Sequence, residues 1–307
     1  MINIAFGLDD NFARHCAAAV ASVLCNHKVL SGQDRLHIYF FGNLSEENRN
    51  NLLKLKKIQD FEHTFIELDH SEFEGLPLSR GRTFAIYNVL MIPVLLSGKE
   101  KKIIFLDCDL IVNRDIAELW NIDIGDSLLA AVSDNYRKKE GFFNSGVMVL
   151  NIAGLLEFGY YGKWKEYVKY NIDKMILHDQ DILNPVLRFN TLFLPVNWNV
   201  HYGIFLTLYG KYDKKNIAQA LSFCYIVHFS TRIKPWHPLP VHPMSDLYFK
   251  YLLMTPWGGL IENFSKFLKI RNFLGMFFKY WFVHPACFIK PKFWRSIRKR
   301  GWLITLY

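Results

Sequence analysis

Residues 102–106 read KIIFL, an almost wholly apolar run that ends directly on Asp107-Cys108-Asp109. A run of this kind makes a strand with no solvated face, and such strands lie in sheets covered by helices on both sides. The rest of the chain alternates accordingly. Residues 2–8, 36–41, 64–68, 128–132 and 146–150 read as further strands. Residues 12–27 are Ala-rich, without Pro or Gly, and read as helix. Ser45 is placed to cap a helix over 46–58. Residues 82–96 have helical spacing disturbed by Pro93, 152–171 is mostly helical, and 247–254 reads as another helix. This alternation predicts an α/β domain on a mostly parallel central sheet.

The 307 residues carry 37 Lys or Arg against 28 Asp or Glu, and the excess is local. Ten of the basic side chains, Lys266 to Arg300, fall within 263–307, together with 13 aromatic residues and no acid. The remainder is close to neutral, which excludes a body coated in positive charge for nucleic acid. We therefore expect a main domain over 1–250 and a basic, aromatic segment over 251–307 with a partner of its own. An anionic membrane surface is the expected partner, because cations attract anionic headgroups and aromatic rings bury at the interface. Cys16, Cys25, Cys108, Cys224 and Cys287 are odd in number and lack CxxC spacing, which predicts neither a disulfide framework nor a zinc ribbon. MINIAFGLDD lacks the basic-then-apolar order of a secretory leader, and no run of 18 apolar residues occurs. A reducing, cytoplasmic location is expected.

Ligands of open α/β sheets collect at the carboxyl ends of the strands. There the chain turns, so Asp107 and Asp109 can converge on one hard divalent ion. The same FLDCDLIV string admits a rival, a dehalogenase-type phosphatase with Asp107 as nucleophile. Solvated turn acids are the plain alternative. His228 follows the apolar residues 223–227 and precedes Lys234 on one loop; together they can meet a diphosphate, the His through a metal and the Lys directly. In His178-Asp179-Gln180-Asp181, acids suit a helix N-terminus, or they can face a sugar. Asn144 sits in a polar turn before Gly146, whose missing side chain permits close approach. Asp9, Asn11 and Phe12 follow the first strand, where they can read and stack a base or cap the next helix.

FLDCDLIV, FNSGVMVLN, HDQDILN and HFSTRIKPWH occur in an order that resembles glycosyltransferase family 8, specifically its bacterial lipopolysaccharide and lipooligosaccharide hexosyltransferases. The resemblance covers about residues 1–245. It implies an A-type nucleotide-diphospho-sugar transferase fold over 1–250. It also implies retaining transfer of glucose or galactose from UDP-glucose or UDP-galactose to a lipid-linked core oligosaccharide. The implied ion is manganese, with magnesium as the substitute. By position, Asp107, Asp109 and His228 match the metal ligands and Lys234 the diphosphate contact. Asp9, Asn11 and Phe12 match the uridine site, and Asn144, Asp179 and Gln180 the donor-sugar and reaction-centre positions. A lipid acceptor would place the protein on the inner face of the cytoplasmic membrane, held there by 251–307. Two departures stand out: Val89 occupies the place of a donor-side Arg, for which Arg80 or Arg82 can compensate, and Thr231 that of a Gly. They keep open a third possibility, an inactive, membrane-peripheral sugar-nucleotide-binding protein.

Overall fold

A computed structural model describes residues 1–260 apart from 31, 80–81, 135–140, 202–219, 221–222, 231, 238–241 and 243. The basic segment over 263–307, Arg80 and Thr231 therefore lie outside the described residues. Seven strands form the main sheet: β1 (Ile2–Gly7), β2 (Leu36–Phe41), β3 (Glu62–Ile66), β4 (Lys102–Leu106), β6 (Leu129–Ser133), β7 (Phe143–Asn151) and β8 (Thr191–Leu194). Their order is β3-β2-β1-β4-β7-β6-β8. β7 runs antiparallel to both β4 and β6, and every other pairing in this sheet is parallel. The expected mostly parallel α/β architecture is what the chain adopts.

β4 shows why the KIIFL pattern is decisive. Ile104 and Leu106 enter one hydrophobic layer, Ile103 and Phe105 the other, and all four are buried. The first layer is closed by α1 (Ala13–Asn26), whose Ala17, Ala18, Ala19 and Ala21 let the helix lie close to the sheet. A helix over Ser245–Leu252 packs on α1, with Tyr248 and Leu252 in the same layer. It spans the position where the two segments were expected to divide. The second layer holds Tyr87, Trp164 and Ile182.

Several elements differ from expectation for identifiable reasons. Residues 152–171 form two helices, Ile152–Glu157 and Tyr160–Asn171, because Gly159 between them is left-handed (φ 71°). Phe84–Met91 is 3₁₀ rather than α; there the buried Asn88 donates to the Phe41 carbonyl (2.8 Å), and Pro93 lies at the start of the short helix Ile92–Leu95. Helix α2 (Glu46–Leu53) is capped by Ser45 as expected, but ends earlier, in a 3₁₀ turn. A small second sheet was not foreseen. It consists of β5 (Leu110–Val112), β9 (Val200–His201) and β10 (Ile226–His228) in the order β5-β10-β9.

Candidate active site

The small sheet brings distant residues together. β5 starts immediately after Asp109 and pairs antiparallel with β10 in the register His228↔Leu110. The Phe229 amide donates to the Asp109 carbonyl (2.9 Å), and the Asp107 amide to the Gly146 carbonyl of β7 (2.9 Å). Residues 108 and 109 turn, and Cys108 Sγ is drawn inward to the Gly7 carbonyl at 3.3 Å. Both flanking carboxylates are thereby left on the same side. One ligand atom each from Asp107, Asp109 and His228 lie within 4.8 Å of one another. His228 Nε2 is 3.4 Å from Asp107 Oδ2 and 3.3 Å from Asp109 Oδ1.

Charge in this site is balanced by neighbours. Lys234 Nζ donates to Asp109 Oδ2 and, at 2.8 Å, to the Phe229 carbonyl. Burial would raise the Asp109 carboxyl, but Lys234 and His228 outweigh it and hold the group well below the usual carboxylate range. Burial would lower His228, yet the Asp109 and Asp107 charges push the imidazole up to about 9. Two carboxylates are thus compensated by an imidazolium and an ammonium.

Two observations show that these residues fit a divalent cation. The donor set is two carboxylates and an imidazole, a mixed oxygen–nitrogen set that divalent transition ions accept. Gly146 also leaves room where any side chain would intrude: a Cβ would lie 2.2 Å from His228 Cε1 and 2.6 Å from Asp107 Oδ2.

Helix α7 (Asp179–Leu187) supplies the next residues. Its preceding residue, His178, has φ 56° and ψ −121°, a positive-φ conformation costly for a non-glycine residue. His178 Nε2 accepts from the Ser79 amide at 3.1 Å. The acids divide by role. Asp181 Oδ2 accepts from the Ile176 and Leu177 amides (2.6 Å each), in the turn that precedes the helix. Asp179 and Gln180 are buried. Burial, then the Asp107 charge, push the Asp179 carboxyl up to about 7. Gln180 Oε1 accepts from Asn144 Nδ2 (3.3 Å), and its Nε2 donates to Asp134 Oδ2 (3.0 Å).

The residues after β1 sit at the adjoining strand end, since β1 is parallel to β4 with Phe6↔Leu106. Asp9 Oδ1 accepts from the Phe12 amide (3.1 Å) and Oδ2 from the Thr83 hydroxyl (2.6 Å). Asn11 is exposed. Phe12 is half-buried and packs edge-on against Trp236, which stacks on His15 at 3.5 Å. Val89 is buried in the second hydrophobic layer, whereas Arg82 is exposed and its charge acts on Asp179 and His178. Sequence reasoning missed Asn199, Asp134 and Thr83. Asn199 alone left a trace, as a polar residue between the apolar Trp198 and Val200.

The family model described as Glycosyl transferase family 8 matches residues 3–239. General stress protein A of Bacillus subtilis (strain 168) is 30% identical over 272 residues, 82% of this chain and 93% of that protein. A lipopolysaccharide 1,2-glucosyltransferase of Escherichia coli (strain K12) is 23% identical over 270 residues, 83% of this chain and 79% of that protein. The crystal structure of the galactosyltransferase LgtC with donor and acceptor sugar analogs superposes with a TM-score of 0.73 at 22% identity. It covers 83% of this chain and 96% of that one, and the shared fold is that of A-type glycosyltransferases.

Proposed function

This chain belongs to glycosyl transferase family 8, and on that premise we propose that it is a retaining, metal-dependent hexosyltransferase. The donor would be UDP-glucose or UDP-galactose and the acceptor a lipopolysaccharide core or lipooligosaccharide. The observation that carries the reading is the convergence of Asp107, Asp109 and His228 within 4.8 Å, beside Lys234. Family membership removes the phosphatase alternative for Asp107.

Asp107, Asp109 and His228 would hold manganese, or magnesium in its place. When bound, the ion supplies Lewis-acid stabilisation of the departing diphosphate. Lys234 adds a positive charge on the same side and stabilises the negative charge that grows on UDP. Asp9, Asn11 and Phe12, at the neighbouring strand end, hold the uridine. Asp179 and Asn144 bind donor hydroxyls. The Gln180 carbonyl stabilises the cationic sugar, and as an amide it is a poor nucleophile. Retention then follows from front-face attack by the acceptor hydroxyl; a trapped covalent glycosyl–enzyme adduct would overturn that step. Among the described residues no helix is long and apolar enough to cross a membrane. We assign access to a lipid-linked acceptor on the inner leaflet to the basic segment, because its ten cations and 13 aromatic residues suit an anionic interface.

The deciding experiment is a screen of UDP-sugars for manganese-dependent UDP release. Release from UDP-glucose or UDP-galactose, stimulated by core oligosaccharide and lost in Asp107→Ala, is expected. No release from any UDP-sugar would favour the inactive binding protein, and release unchanged in Asp107→Ala would refute the metal assignment.

A further inference from the structure

Asn199 ends a 3₁₀ turn (Val196–Trp198) and leads into β9, which lies parallel beside β10 with His228↔His201. Its side chain is completely buried. Asn199 Oδ1 is 2.9 Å from His228 Nδ1, and Asn199 Nδ2 is 2.7 Å from Asn144 Oδ1. A fully buried amide with both ends engaged is rigid, and its orientation is fixed by what it touches.

That orientation can be read from one backbone group. The Gly146 amide donates to Asn144 Oδ1 at 3.1 Å. A backbone N–H only donates, so the Asn144 atom it meets is the carbonyl oxygen. The Asn199 atom facing the same oxygen must then be its NH₂, which turns the Asn199 oxygen toward His228. An oxygen acceptor requires a hydrogen on His228 Nδ1. In the neutral ring, the remaining lone pair is therefore on Nε2, the nitrogen that faces Asp107 and Asp109. On the other side, Asn144 Nδ2 donates to Gln180 Oε1. One amide thus joins the imidazole to the reaction centre.

We propose that Asn199 is a positioning residue that fixes the His228 tautomer and ring orientation for metal binding through Nε2, and that holds Asn144 and, through it, Gln180 in register with that ion. This deepens the proposed function and rests on its metal site. A metal-bound imidazole typically depends on such a partner for its second nitrogen, and losing it costs about 10–100-fold in metal affinity.

The test uses manganese alone, followed by electron paramagnetic resonance of unbound ion, in the full chain without donor. Asn199→Leu keeps the volume and removes both bonds; its manganese affinity should fall about 10–100-fold. Asn199→Asp keeps the acceptor for His228 and loses the donor to Asn144. It should bind manganese within about threefold of the parent, yet lose about 100-fold in kcat. A second measurement needs no variant: with cadmium bound to the parent, ¹⁵N resonances of His228 should show the hydrogen on Nδ1 and the metal on Nε2. Metal on Nδ1, unchanged manganese affinity in a folded Asn199→Leu, or an Asn199→Asp that binds as weakly as the Leu variant would each overturn the proposal. A parent that binds no divalent ion would instead overturn the metal reading itself, and this inference with it.

Discussion

Gly146→Ala adds one carbon at the tightest point of the site. That Cβ would lie 2.2 Å from His228 Cε1, 2.6 Å from Asp107 Oδ2 and 2.9 Å from His228 Nδ1. Ordinary contact starts at 3.4 Å, so from 2.2 Å the imidazole must retreat by about 1.2 Å. Movement of the backbone would not spare the ligands: Gly146 adjoins Val147, which pairs with Leu106 of β4, and its own carbonyl accepts from the Asp107 amide. Metal–ligand distances tolerate only about 0.2 Å, so the displacement falls on the ligands. We expect manganese affinity to drop about 10–100-fold and kcat about 100-fold, while overpacking costs about 1–3 kcal/mol of stability. Manganese titration and a denaturant melt on the same preparation separate these effects. A folded Gly146→Ala protein that binds manganese like the parent would refute the placement of Gly146 against the two ligands.

Asp107→Ala and Asp109→Ala should both abolish manganese-dependent UDP release, but their melts should differ. Asp109→Ala strands the buried Lys234 ammonium and should cost about 3 kcal/mol; Asp107, with a side chain 38% exposed, should cost less than about 1 kcal/mol. Asp179 is raised from 3.8 to about 7. The folded state thus holds this proton more tightly than the unfolded chain, and the associated stability, full below pH 3.8, is lost as pH rises through about 7. Asp179→Asn removes that loss, so metal-free melts should show its advantage over the parent growing from pH 4 to 8, to at most about 4 kcal/mol; a pH-independent difference would count against the raised value. A chain ended at Glu262 should no longer sediment with anionic vesicles, since each lost Lys or Arg near the surface removes about 1 kcal/mol; retained sedimentation would end the membrane role of the segment.

What the sequence made legible were features with a local signature. KIIFL announces a buried strand because every residue after Lys102 is apolar, and the two acids at its end do converge, together with His228, on one place. The reversed direction of β7 left no such mark, because an apolar strand reads alike whichever way it runs. The pairing of β5 with β10 was equally silent: two three-residue strands far apart in the chain find each other through tertiary packing, and that pairing sets His228 beside Asp109. Buried amides are the hardest to foresee. Asn199 has the letter of a loop residue, and only its two partners distinguish it. At His178–Asp181 the residues separate: Asp181 accepts from two amides of the preceding turn, while Asp179 and Gln180 are buried, with the Asp107 charge acting on Asp179.

The charges of the site bear on how it would bind a metal and a diphosphate together. Without a metal, Asp107 and Asp109 contribute two negative charges, and His228, raised to about 9, and Lys234 contribute two positive ones. These four charges sum to zero, around an Asp107 side chain that is 38% exposed. A divalent ion held through Nε2 would take the place of the imidazole proton and leave these groups with one net positive charge, which a diphosphate would balance. Manganese and UDP should therefore tighten each other's binding by the same factor, because coupling between two ligands is reciprocal. Titrating manganese with and without saturating UDP, and UDP with and without manganese, measures both sides. Equal affinities in the presence and absence of the partner would mean that Lys234 and the three ligands do not share one charge balance.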